Sequence, residues 1–230
     1  MKIGIITAMA DETTPLYQKM GKETGEIKVA GVTIFKYEID GNEIFLVRSG
    51  VGEIRAAMTF QLLVDKFDVD AVLNFGLVGS LDNRFDVGDI VLAERIVHYQ
   101  FDTSILDGVS VGQYDGNDSI YFTTDKCLIE KVQEELGEVL PQVVVASGDK
   151  FIASKEDKEY LRTFGAEICE MECAGLIIAS QRNNVPLLSI KVISDKADES
   201  ADVSINEVIN RGLTRYEQIF PSVLKAVCNK

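Results

Sequence analysis

Strand-like and helix-like segments alternate from one end of this chain to the other, which predicts an α/β fold: a single domain over residues 1–230 with helices layered on a sheet. Two more observations support that class. A chain of 230 residues, 46% hydrophobic, is sized for one such domain with a substantial core. No internal repeat, low-complexity tract or linker divides it.

Residues 3–6 are a short apolar run and read as a buried first strand. Residues 32–39 and 43–47 read as a strand pair turned at Asp40-Gly41-Asn42, a good hairpin signal. After the glycine loop Ser49-Gly50-Val51-Gly52, residues 54–67 space Ala56, Ala57, Phe60, Leu63 and Val64 as a helix packed on a sheet. Residues 71–75, closed by Gly76 and Gly79, and residues 89–96, opened by Val87-Gly88, read as strands. From about 98 to 123 the pattern dissolves into Asp, Ser, Gly and Tyr, so a long loop carrying function or an interface is expected there.

Residues 126–140 then look like an amphipathic helix, and 143–146 like a buried strand running into Ser147-Gly148-Asp149-Lys150-Phe151-Ile152. The capping signature Ser154-Lys155-Glu156-Asp157 opens a short helix to Phe164. Residues 166–169 read as a strand, 172–183 as a helix rich in small residues and 187–193 as a strand. A second capping box, Ser204-Ile205-Asn206-Glu207, starts the last helix, which Pro221 is expected to bend or interrupt.

A formal charge of −14 repels phosphate backbones and anionic membrane surfaces, so neither nucleic acid nor a membrane is expected as a partner. No apolar stretch reaches the length of a membrane span, and the one behind Lys2 is too short for an export signal despite Ala8-Met9-Ala10. Cys127, Cys169, Cys173 and Cys228 form no C-x-x-C, and small reduced core residues of a cytoplasmic protein are the expectation. A single histidine, His98, excludes zinc sites built on two or three histidines, and no metal or cofactor is expected. A Ser-His-Asp triad would have to use that one residue as its base.

The chemistry-bearing residues are three acids, each standing where an apolar run stops: Glu12, Glu172 and Asp195. Strand ends of one sheet face a common cleft, so the three are candidates to act together on one small molecule. Glu12 follows Met9-Ala10-Asp11 and is either a helix N-terminal cap or a base. Glu172, between Met171 and Cys173, needs polar partners, which the two hydroxyls of a ribose would supply. Asp195, with Ser194 beside it, would hold or give a proton at a heteroatom or else terminate a turn. Phe151 with Ile152 offers an aromatic face for a flat ring. Ser49-Gly50-Val51-Gly52 and Gly76-Leu77-Val78-Gly79 read as tight turns or as ligand loops whose N–H groups meet a ribose or an anion.

These segments, with Ile3 to Glu12, Val87-Gly88-Asp89-Ile90-Val91, Glu170-Met171-Glu172 and Ile193-Ser194-Asp195-Lys196-Ala197-Asp198, occur in the order seen in the 5′-methylthioadenosine/S-adenosylhomocysteine nucleosidases, which the whole chain resembles. The resemblance implies a nucleoside phosphorylase-like domain, with a central mixed, twisted sheet surrounded by helices, working as a homodimer without a cofactor. It implies Glu12 as the base that activates water, Glu172 on the ribose hydroxyls, Asp195 as the acid at purine N7 and Met171 beneath the sugar. Phe151 would stack on adenine, with the backbone of Ile152 reading its edge. Met9, Val51 and Ile205 would form the apolar 5′ pocket, and Ile105 would be lent by the neighbouring subunit. Leu77 stands where the family has a serine that helps position the catalytic aspartate, and Lys191 where it has an arginine. Alternatives to a hydrolase of this kind are a phosphorylase, a nucleosidase for another nucleoside such as one of the futalosine type, and a nucleoside-binding relative without activity. Against phosphorolysis, Asp11 and Glu12 would repel phosphate, and the loop after the first strand holds no arginine.

Overall fold

A computed structural model describes residues 1–197 and 205–229, and residues 205–211 by their backbone alone. In chain order its elements are β1 (Lys2–Thr7), α1 (Ala10–Met20), β2 (Gly25–Val29), β3 (Val32–Ile39), β4 (Asn42–Arg48), α2 (Glu53–Phe67), β5 (Ala71–Ser80), β6 (Ile90–His98), α3 (Ser104–Asp107), β7 (Tyr121–Thr123), α4 (Lys126–Leu136), β8 (Gln142–Ser147), α5 (Lys155–Arg162), β9 (Ile168–Glu170), α6 (Cys173–Asn183), β10 (Leu187–Asp195) and α7 (Ile205–Cys228). The described strands form one mixed sheet in the order β10-β6-β8-β9-β5-β1-β4-β3-β2, with β7 on the edge of β6. Because β10 also pairs with β5, five of these strands close into a ring from which β1, β4, β3 and β2 extend.

Strands β1, β5 and β10 run parallel side by side and are apolar on both faces, as strands covered by helices must be. Helices α1, α4 and α7 pack on one face over Ile5, Leu73, Phe75 and Ile190, and α2 and α6 on the other over Ile6, Val72 and Val47. Both coverings are needed, because each helix hides only one apolar stripe.

Several elements differ from what the sequence predicts. Strand β5 does not stop at Gly76: it runs through Gly79 to Ser80, because β10 on one side and β1 and β9 on the other hold its backbone. Gly76-Leu77-Val78-Gly79 is therefore strand and not a tight turn. Strand β2, too exposed to leave a strong apolar pattern, adds an antiparallel edge beyond β3. The 98–123 loop contains α3 and the edge strand β7. Helix α4 ends at Leu136, where Gly137 takes a left-handed conformation (φ 65°). Pro221 does not interrupt α7, since Phe220, Val223, Leu224 and Val227 are buried around it and their packing offsets one missing hydrogen bond. Ser154 caps α5 as its sequence indicates, whereas Ser204, of the second capping box, lies outside the described residues. Cys169 and Cys173 are buried free thiols, but Cys127 is exposed. Among the described residues no helix is long and apolar enough to cross a membrane.

Candidate active site

The ends of β1, β5, β9 and β10 meet at a cleft of about 420 Å³. Glu12, Glu172 and Asp195 all line it, although they are far apart in sequence. So do Met9, Val51, Leu77, Phe151, Ile152, Met171 and Ser194. Of the two remaining candidates, one is expected to serve a neighbouring subunit and the other has a side chain outside the described residues. Ile105 lies in α3 and is 98% exposed, outside the cleft. Ile205 opens α7, and its side chain lies outside the described residues.

Glu12 occupies the third position of α1 and is buried. Its Oε2 accepts the N–H groups of Ala8 and Met9, both at 2.8 Å, and its Oε1 accepts that of Leu77 at 2.9 Å. The residue thus makes the helix-start contact and faces the cleft at once. With two lone pairs per carboxylate oxygen, Oε2 is saturated while Oε1 retains one for a further donor. Burial pushes its pKa up, against those N–H groups and Lys191, which pull it down.

Glu172 is the residue before α6, and its Oε1 accepts the N–H of Gly52 at 2.9 Å. This bond ties the glycine loop after β4 to the site, so Ser49-Gly50-Val51-Gly52 does supply an N–H to a carboxylate. Burial, reinforced by the negative charge of Glu170, raises the Glu172 pKa to about 7. Asp195, half-buried at the end of β10, accepts the N–H of Ala197 at 2.7 Å and lies 2.7 Å from Ser194 Oγ. Ile152 is buried, and Phe151 stands 64% exposed at the cleft mouth.

A buried ion pair stands behind these acids. Glu170 and Lys191, each 1% exposed at the side chain, form an ion pair of 3.0 Å. The Glu170 carboxylate also accepts the N–H groups of Glu172 (3.0 Å) and Cys173 (2.9 Å), and so braces the turn that presents Glu172. Burial opposes its charge, but Lys191 and these hydrogen bonds hold its pKa below the ordinary value. Lys191 faces Gly76 across the β10–β5 register, and a Cβ at Gly76 would stand 3.1 Å from its Nζ and 3.5 Å from Glu12 Oε1. Gly76 is therefore what lets the Lys191 ammonium reach the acids. In the sequence the members of this pair stand out only through the family resemblance, Glu170 in the motif Glu170-Met171-Glu172 and Lys191 in place of an arginine.

His98 is not part of a serine triad. Its Nε2 meets Glu53 Oε2 at 2.9 Å and its Nδ1 the Tyr114 hydroxyl at 2.8 Å. The Ser147 hydroxyl donates to the other Glu53 oxygen at 3.0 Å, so a carboxylate separates hydroxyl from imidazole.

A model of the phosphorylase superfamily matches residues 2–227. The aminodeoxyfutalosine nucleosidase of Helicobacter pylori strain J99 is 33% identical over 214 residues, 91% of this chain and 92% of that one. The 5′-methylthioadenosine/S-adenosylhomocysteine nucleosidase of Geobacillus thermodenitrificans is 30% identical over 236 residues, 100% of this chain and 99% of that one. Among solved structures, native futalosine hydrolase of Helicobacter pylori strain 26695 superposes with a TM-score of 0.90 at 31% identity, covering 97% of each chain.

Proposed function

Since the chain belongs to the phosphorylase superfamily, and within it to the nucleosidases, hydrolases of N-ribosyl bonds, we propose that it releases adenine from 5′-methylthioadenosine and S-adenosylhomocysteine. The observation that carries this reading is the convergence of Glu12, Glu172 and Asp195 on one cleft.

Breaking a ribose–purine bond builds positive charge on the sugar and negative charge on the leaving base. Asp195, oriented by Ser194 and the Ala197 N–H, gives a proton to purine N7; positioned transfer of this kind contributes about 10²–10⁴-fold. Glu172 takes the ribose hydroxyls and, with Glu12, favours the cationic sugar electrostatically. Water approaches the free lone pair of Glu12 Oε1, the oxygen that keeps an acceptor site. Met171 lies beneath the sugar, Phe151 and the Ile152 backbone take adenine, and Met9, Val51 and Ile205 face the 5′ group. Leu77 contributes its N–H to Glu12 where a serine side chain would otherwise assist Asp195. The cleft wall carries Asp11 beside the three acids and Glu170, with Lys150 its only cation among the described residues, a lining that disfavours phosphate as the nucleophile. The working unit is a homodimer in which Ile105, almost fully exposed, covers the neighbour's 5′ pocket.

Purified protein incubated with 5′-methylthioadenosine in phosphate-free buffer tests this directly. Free adenine and methylthioribose are expected. No release at high enzyme concentration, or release only on addition of phosphate, overturns the reading. A second reading, an aminodeoxyfutalosine nucleosidase, is favoured by the 33% identity to the Helicobacter pylori enzyme. Adenine release from a panel of the three nucleosides separates the two.

A further inference from the structure

A second cleft, of about 630 Å³, lies alongside the first, between α1, the turn at residues 30–31 and the start of α2. A ridge formed by the start of α1 and the loop after β4 separates the two. Ala10 lines the second cleft where Met9 lines the first, and Gly50 lines the second where Val51 lines the first. Met9 and Val51 are 39% and 41% exposed, so the ridge between the two clefts is open to solvent.

The charge of the second cleft opposes that of the molecule. In a chain with 37 acidic and 23 basic residues, no acid lines it, while Arg48 at the end of β4 and Arg55 in the first turn of α2 both do. Neither guanidinium makes a hydrogen bond or ion pair with another described residue. Arg55 folds back over Gly50, its Nη1 3.1 Å from where a Cβ there would stand, which brings its charge to the ridge. Hydroxyls of Thr14, Thr33 and Tyr17 complete a polar lining. A guanidinium presents a planar fork matched to a carboxylate, and two unpaired ones in a cleft without acids concentrate that class of anion.

We propose that Arg48 and Arg55 form a carboxylate subsite for the 5′ extension of the nucleoside, so that the protein favours substrates whose 5′ chain ends in an acid over those with a short neutral group. The inference rests on the reading above in one respect, that the 5′ side of the nucleoside faces Met9 and Val51. A 5′ substituent leaving between those two residues runs over the ridge toward the arginines. The carboxylate can belong to an amino acid, as in S-adenosylhomocysteine, or to a benzoate, as in aminodeoxyfutalosine; 5′-butylthioadenosine has a chain of similar reach without the acid.

The test compares kcat/KM for S-adenosylhomocysteine and for aminodeoxyfutalosine, each divided by that for 5′-butylthioadenosine, in the wild type, Arg48→Gln, Arg55→Gln and the double variant. The wild type should favour at least one carboxylate substrate, and the double variant should lose roughly tenfold or more of that ratio, the scale of a charge-assisted pair. Which ratio falls identifies the source of the acid. Raising the salt concentration should erode the wild-type ratio in the same direction and needs no variant. A ratio that is unchanged in the double variant, or a wild type that favours the neutral chain, overturns the proposal. If no nucleoside is hydrolysed, the reading of the function fails, and calorimetric titration of the same ligands into the same proteins still decides whether the arginines take a carboxylate.

Discussion

Glu172 has a job that requires charge and a location that resists it. Burial and the neighbouring Glu170 raise its pKa from 4.5 to about 7, so between these values the folded ligand-free protein binds protons that the unfolded chain has already released. Stability then falls as pH rises through that window and stays reduced above it. Glu172→Gln, whose amide oxygen can still accept the Gly52 N–H, is expected to be more stable than the wild type at pH 8 by up to about 3 kcal/mol and equal to it near pH 4. Denaturant unfolding at the two pH values measures this; a variant less stable at pH 8 would contradict it. For activity the sign reverses, and turnover should rise with pH up to about 7 as Glu172 ionises. Glu12, Glu172 and Asp195 could be picked out from sequence because each ends an apolar run, and a carboxylate there needs a reason. Lys191 stands out only through the family resemblance, because it sits inside such a run and meets Glu170 only through folding.

At the level of elements, that meeting is the work of β5. It pairs with β10 on one side and with β9 on the other, and the missing side chain of Gly76 opens the way for Lys191 toward Glu170. Lys191→Met leaves Glu170 buried without its cation, and removing one member of a buried pair costs about 3–5 kcal/mol. The loss should appear as a lowered unfolding midpoint, together with weaker nucleoside binding as the turn holding Glu172 loosens. The double change Lys191→Met with Glu170→Gln should recover part of the stability, and a fully additive double variant would show the pair to be uncoupled. The strands of the parallel core were legible because burial on both faces leaves unbroken apolar runs. β2 and β7 were not, since edge strands bury too little to imprint a pattern, and the continuation of β5 past Gly76 depends on neighbours in space that a local reading does not contain.

For the whole molecule, the alternation of elements sufficed to give an α/β layer structure, while the closing of five strands into a ring through the β10–β5 pairing had no local signal. The exposed Ile105 and Leu106, 98% and 87% accessible, belong to a molecule that is incomplete alone if the proposed dimer holds. Sedimentation should then give twice the 25.4 kDa chain mass, and Ile105→Asp should raise KM for 5′-methylthioadenosine with little change in the stability of the fold. A monomer with full activity would show that Ile105 has no such role. Three carboxylates distant in sequence act here on a single N-glycosidic bond, and a crystal structure of Asp195→Asn with 5′-methylthioadenosine, paired with its turnover, is the decisive experiment for that proposal. An intact nucleoside is expected, with N7 at residue 195, the ribose hydroxyls on Glu172 and Glu12 facing the anomeric carbon, and turnover lowered by about 10²-fold or more. A nucleoside bound away from any of the three residues, or a variant that turns over at the wild-type rate, would contradict it.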